Sequence, residues 1–184
     1  MGAVIPKERY TYADYEKWGD DARCELIDGA VLAMASPTER HQWVCGEIFV
    51  QLKNFLRGKT CRAYMSPFDV RLNFDEADDI VVQPDILVVC DKSKIENGKH
   101  CLGAPDFIIE VLSQSNSGYD TMVKLDKYLK AGVREYWVVD PENNKVAAHR
   151  LLDKQYVTVI YGDHDDAPVM VLEGCLINLG EVFE

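Results

Sequence analysis

The sequence predicts an α/β (α+β) fold, a mixed central sheet flanked by helices. A hairpin stands near its N-terminus and an antiparallel extension near its C-terminus. Three observations lead there. Apolar runs of strand length recur along the chain, and two intervening stretches carry helical periodicity. The last apolar runs are joined by turn-forming residues, so the order is helix, strands, helix and more strands.

TYADYEKW, Thr11 to Trp18, reads as a short helix with Thr11 as N-cap. CELIDGAVLAMA follows, two apolar runs joined by Asp28-Gly29, a tight-hairpin signal. SPTERHQWVCGEIFVQLKNFLRG is a long helix. Ser36 and Glu39 read as its capping box, Pro37 as its first residue and Gly58 as its stop. Val44, Ile48, Gln51, Leu52, Phe55 and Leu56 form its largely apolar face. Strands are expected around Cys61–Leu72, Ile80–Val89 and Phe107–Leu112. YDTMVKLDKYLKAG is a second helix, with Asp120 as N-cap, Gly132 as stop and Met122, Leu125 and Leu129 as core stripe. REYWVVD is a strand closed by a turn at Pro141–Asn144, and Lys145–Arg150 and Gln155–Tyr161 extend the sheet.

At 184 residues the chain fits one domain spanning 1–184, with its core over about 24–150. No apolar run approaches the ~18–20 residues that cross a bilayer, so no membrane partner is expected. The N-terminus lacks the apolar core of a secretion signal. The six cysteines are scattered with no CxxC pair, which points to reduced, packed thiols, a cytoplasmic home and no zinc. A net charge of −11 argues against wide non-specific contact with nucleic acid. Lys124, Lys127, Lys130 and Arg134 nonetheless cluster on one segment, which would make a local positive patch on an acidic body.

Two acids interrupt the apolar runs. Glu110 stands inside DFIIEVLS, and Asp85 stands inside DIVVQPDILVVCD just after Pro84. Proline has no N–H for a sheet ladder and marks an edge, bulge or bend. By alternation Asp85 shares a face with Leu87, and Glu110 with Ile108 and Leu112. If the strands are neighbours the carboxylates converge, and one protonates unless a cation lies between them. A hard divalent ion with oxygen ligands answers that. Each acid alone has a plainer account, a hydrogen-bonded carboxylate at a strand end. Spacing leaves both accounts open.

QPDILVV, FIIEVLS, the helix with Lys124 and Tyr128, and GVREYWVVDP together resemble the Uma2 family, as does CELIDGAVLAMASPTERHQ upstream. The resemblance runs from about Cys24 to Arg150. It implies the restriction-endonuclease-like fold, named for the PD-(D/E)xK motif, and metal-dependent endonuclease activity on DNA. Asp85 then corresponds to the motif aspartate and Glu110 to the second carboxylate, holding Mg2+ (or Mn2+). One departure is plain. The motif lysine belongs two residues after Glu110, where this chain has Leu112. Lys124, on the following helix, is the candidate for a relocated lysine, with Tyr128 on the same helical side. The competing account is a solvated lysine lying along Tyr128.

Nucleases of this fold often add an early glutamate to the metal site, and Glu25 in ELIDG is preferred to Glu47 for that role. His41, in the first turns of the long helix, either touches a phosphate or hydrogen-bonds a loop. Gln83, two residues before Asp85, points its way and is a candidate to orient water or phosphate. Ser113 and Ser115 sit in a polar loop that either meets substrate or merely turns. FDEADD reads as a solvated acidic loop. The resulting expectation is a DNA-cleaving enzyme, with a homodimer as a way to cut both strands. The rival is a nuclease-like scaffold without cleavage, acting as a binding or assembly module, which −11 and Leu112 favour.

Overall fold

The structure is a computed structural model. It describes residues 8–19, 23–96, 98–113 and 118–184, the first three residues of the last segment by main chain only. The elements run α1 (Tyr12–Tyr15), continued by a 3-10 turn (Glu16–Trp18), β1 (Cys24–Ile27), β2 (Ala30–Ala33), α2 (Glu39–Leu56), β3 (Arg62–Met65), β4 (Asp69–Arg71), β5 (Val81–Val82) and β6 (Ile86–Val89). After a second 3-10 turn (Lys92–Ile95) come β7 (His100–Leu102), β8 (Phe107–Val111), α3 (Gly118–Ala131), β9 (Glu135–Asp140), β10 (Lys145–Leu152) and β11 (Gln155–Gly162). β12 (Asp166–Val169), β13 (Cys175–Asn178) and α4 (Leu179–Phe183) close the chain.

The mixed α+β architecture matches expectation, with the strands distributed over more than one sheet. A six-stranded sheet has the order β11-β10-β9-β8-β6-β3, a five-stranded sheet β2-β1-β5-β4-β7, and β12 pairs with β13. β8 runs parallel to β9 and β4 parallel to β7; the other pairs are antiparallel. The expected strands at Cys61–Leu72 and Ile80–Val89 are each broken in two. Pro67, after a cis Ser66–Pro67 bond, separates β3 from β4, and Pro84 separates β5 from β6. Each proline interrupts the ladder, and the chain passes there from one sheet to the other.

Alternation along the six-stranded sheet gives it two apolar faces. Ile86, Val88, Phe107, Ile109, Trp137 and Val139 pack against α2 through Val44, Ile48, Leu52 and Leu56. Each such aliphatic burial contributes about 1.5–3 kcal/mol. Leu87, Ile108, Tyr136 and Val138 face the other way, against Tyr128 of α3 and Val70, Val82 and Cys101 of the five-stranded sheet. The β1–β2 hairpin turns on Asp28 (φ 51°) and Gly29 (φ 76°), the left-handed pair that a two-residue hairpin requires. A Cβ on Gly29 would lie 2.9 Å from Arg9 Cβ, so glycine is needed there twice over.

Several expectations are corrected. α2 is capped by Thr38, whose Oγ1 accepts from His41 N at 3.2 Å, so Ser36 and Pro37 lie before the helix. A hydroxyl closer to the helix wins the cap, and this puts His41 in the first turn. α3 begins at Gly118, so Asp120 is inside it. Its buried face carries Tyr128 with Val123 and Leu125 beside it, whereas Met122 is 72% exposed. Cys61 and Cys90 form a disulfide, against the expectation of reduced thiols throughout. The β3–β6 register pairs Arg62 with Val89, and one further step sets the two cysteines opposite each other. The FDEADD loop is only partly solvated: Asp78 accepts from Arg71 Nε and Nη2, and buried Asp79 from Arg9 and Asn73. Val169, Leu172, Cys175, Ile177 and Leu179 join the hydrophobic cluster around α2. Among the described residues no helix is long and apolar enough to cross a membrane.

Candidate active site

Glu110 is the fourth residue of β8 and buried on the face shared with Leu87 and Ile108. β6 pairs with β8 antiparallel, Ile86 with Ile109 and Leu87 with Ile108. One further step of that register brings Asp85 level with Glu110 in the chain, and its side chain meets His41 of α2. Asp85 itself stands just ahead of β6, where the chain leaves Pro84 and enters the six-stranded sheet.

The surrounding elements each fix one carboxylate. Asp85 Oδ2 accepts from the main-chain N–H of Val111 at 2.8 Å and lies 3.3 Å from His41 Nε2. Glu110 Oε1 accepts from Lys124 Nζ at 2.9 Å and from Tyr128 OH at 2.7 Å. Glu25, on β1, accepts at Oε1 from Gln83 N at 2.8 Å and from Lys124 Nζ at 2.9 Å. Lys124 thus spans two carboxylates from different sheets. It and Tyr128 are one turn apart on α3 and face the sheet, not solvent. The periodicity of the helix hid this, because polar groups can be buried there only when a carboxylate waits for them.

Gln83 is placed with its amide turned to Tyr15 OH at 3.0 Å and Asp69 Oδ1 at 2.8 Å, while its N–H holds Glu25. The residue that spacing did not single out is Cys45, whose Sγ is 3.6 Å from His41 Nδ1. Its separation of four from His41 on α2 was the available signal. Among the described residues, His41, Cys45 and Asp85 are the group of three with donor atoms within 4.8 Å of one another. Glu25, Asp85 and Glu110 do not form such a group. Ser113 lines the cleft, and Ser115 lies outside the described residues.

Glu25, His41, Gln83, Asp85, Glu110 and Lys124 line an open cleft of about 1270 Å³, with Leu112 among the wall residues. Its electrostatics are dominated by carboxylates. Burial pushes the Glu110 carboxyl up, Lys124 pulls it back in part, and Asp85 and Glu25 push it up again, to about 7 in all. Burial works against the charge on Lys124, but Glu110 and Glu25 outweigh it and hold the ammonium above the ordinary lysine range. Burial likewise opposes an imidazolium at His41, and the hydrogen bond and charge of Asp85 carry the net shift upward. Tyr128 is raised, by burial first and Glu110 second, and stays a donor.

Two carboxylates, Glu110 and Glu25, therefore face one ammonium, with Asp85 near enough to raise Glu110 further. That acidity suits a metal cation, and among the described residues the donors close enough to share one are those of His41, Cys45 and Asp85. The expected positive patch is neutralised in place: Lys127 pairs with Asp28, Lys130 with Asp126 and Arg134 with Asp106. The cleft thus offers little free positive charge for a long polyanion.

The fold is similar to that in the crystal structure of a putative nuclease from Anabaena variabilis, with a TM-score of 0.78 and 21% identity over 95% of this chain and 97% of that one. At that identity the likeness is one of fold. No curated protein matches the chain. By sequence, residues 12–179 match the Uma2 family, described as putative restriction endonuclease. The match runs through both walls of the cleft, from Glu25 to Tyr136, and the chain belongs to the Uma2 family.

Proposed function

We propose that this cleft hydrolyses phosphodiester bonds of DNA with a magnesium or manganese ion held by Asp85 and Glu110 and assisted by Glu25. The observation that carries the reading is the position of Lys124, with Nζ 2.9 Å from both Glu110 and Glu25. It brings a cation from α3 to the place that Leu112, on the strand side, leaves without one. A divalent ion there would polarise a phosphoryl oxygen and lower the pKa of an attacking water.

The chain's own residues supply the rest. Lys124 stays an ammonium and serves as a fixed charge that offsets the negative charge building on the phosphate in the transition state. It is no general base. Val111 N–H holds Asp85, Tyr128 OH holds Glu110 and Gln83 N–H holds Glu25, so each carboxylate is oriented before substrate arrives. A homodimer of this chain would bring two such clefts to the two strands of a duplex.

The test is cleavage of plasmid and oligonucleotide DNA with either ion. Asp85→Asn, Glu110→Gln and Lys124→Ala should each lose roughly 10²-fold or more. Unchanged cleavage by the Asp85→Asn protein ends the proposal. A second reading, a binding or assembly scaffold without cleavage, is favoured by the net charge of −11 and by Leu112. It predicts no cleavage and no rise in melting temperature with either ion, because a ligand that binds only the folded state must stabilise it.

A further inference from the structure

We propose that His41 is a ligand of this cation site and that its nitrogen makes the site prefer manganese-class transition ions over magnesium. The inference rests on the cation-site reading given above and adds a donor to it.

His41 is held through its main chain and through its ring. Thr38 caps α2 and fixes its first turn, while Cys45 Sγ, one turn on, stands 3.6 Å from Nδ1. That leaves Nε2 aimed at Asp85, 3.3 Å from Oδ2, on a side chain only 8% exposed that lines the cleft. Two donors bound at ~2.1 Å on adjacent positions of one six-coordinate ion lie about 3 Å apart. The observed separation is close to that figure, so one ion can reach both atoms with little movement. An outer partner on the second ring nitrogen, as Cys45 is here, is the usual way a ligating histidine is oriented.

The selectivity follows from donor chemistry. Magnesium takes oxygen donors and keeps its waters, whereas an imidazole nitrogen suits first-row transition ions. A site of carboxylates alone would discriminate little between magnesium and manganese. One nitrogen shifts the balance toward manganese.

The test is calorimetric titration of the full chain with manganese or magnesium chloride, together with pulsed paramagnetic resonance of bound manganese. The wild type should bind manganese more tightly and show coupling to an imidazole nitrogen. His41→Gln should lower manganese affinity about tenfold or more, change magnesium affinity by less than about threefold, and lose the nitrogen coupling. Equal losses for both ions would make His41 only a positioning residue for Asp85 and overturn the inference. Manganese bound to the wild type without nitrogen coupling overturns it too, and needs no variant. A wild type that binds neither ion removes the cation-site reading and this inference with it. Binding of both ions without preference removes the inference alone.

Discussion

Tyr128 donates its hydroxyl hydrogen to Glu110 Oε1 across 2.7 Å, with both side chains buried between α3 and the six-stranded sheet. The contact sits beside a T-shaped packing of the Tyr128 and Tyr136 rings, whose centroids are 5 Å apart to the nearest ångström (4.9 Å) at 66°. A hydrogen bond to a charged group contributes about 1.5–3 kcal/mol net. Tyr128→Phe keeps the ring packing and removes only the donor. It should lower the unfolding free energy by that amount, read as a lower urea midpoint at an unchanged slope. A loss within error of zero would mean that the hydroxyl does not hold the carboxylate.

The raised carboxyl of Glu110 gives stability a pH dependence with a definite sign. Its ordinary value is 4.5 and in the fold it stands at about 7. Between those values the folded chain keeps a proton that the unfolded chain has released, so stability falls as pH rises. The contribution is complete below the unfolded pKa and is lost as pH passes the folded one, on the order of 3 kcal/mol across the window. Urea midpoints measured from pH 4 to pH 8 should decline for the wild type. The decline should be shallower for Glu110→Gln, and shallower for the wild type with millimolar manganese or magnesium.

Lys124 is the counter-charge for Glu110 and Glu25, and its removal leaves both short of a cation. Breaking a buried pair from one side costs about 3–5 kcal/mol. Lys124→Met should therefore melt well below the wild type at pH 8, and by a smaller margin at pH 5, where Glu110 takes up a proton. A divalent ion should restore more stability to this variant than it adds to the wild type, while cleavage stays lost. Equal stabilisation of the two proteins would show that Lys124 and the ion do not share the same carboxylates.

Asp85 and Glu110 stood out in the sequence because each breaks a run of Ile, Leu and Val, and Pro84 marks where the chain bends. The buried face of α3 was not. Counting apolar residues selected Met122, whereas the structure buries Tyr128 and turns the half-buried Lys124 inward, where Glu110 and Glu25 lie across from them. Helical phase says which residues share a side; only the partner surface says which side is inward. The contribution of β12 and β13 to the core was hidden for a similar reason. Their inward residues, such as Val169, Cys175 and Ile177, alternate with the outward Pro168 and Leu176 and find their neighbours on α2, far away in sequence.

The disulfide belongs with these long-range features, since only strand register sets Cys61 against Cys90. It is also open to a direct count. Cys24, Cys45, Cys101 and Cys175 are free. The denatured, unreduced chain should titrate with four thiols and the reduced chain with six. Six without reductant would restore the expectation drawn from the spacing.

Leu112 offers the strictest test of the lysine assignment. It follows Glu110 by two residues, on the same side of the strand, and it lines the cleft that Lys124 enters from α3. If what the reaction needs is an ammonium beside these carboxylates, the element that carries it is secondary. A lysine at 112 should then substitute for the one at 124. In the Lys124→Ala background, Leu112→Lys should recover a measurable part of DNA cleavage, and Leu112→Met, similar in bulk without charge, should recover none. The half-buried position gives the new ammonium a route to the cleft along its own aliphatic stem. Recovery by neither variant, with both proteins folded and binding manganese, would mean that Lys124 acts through the geometry of α3, by holding Glu110 and Glu25 in register, and not through its charge.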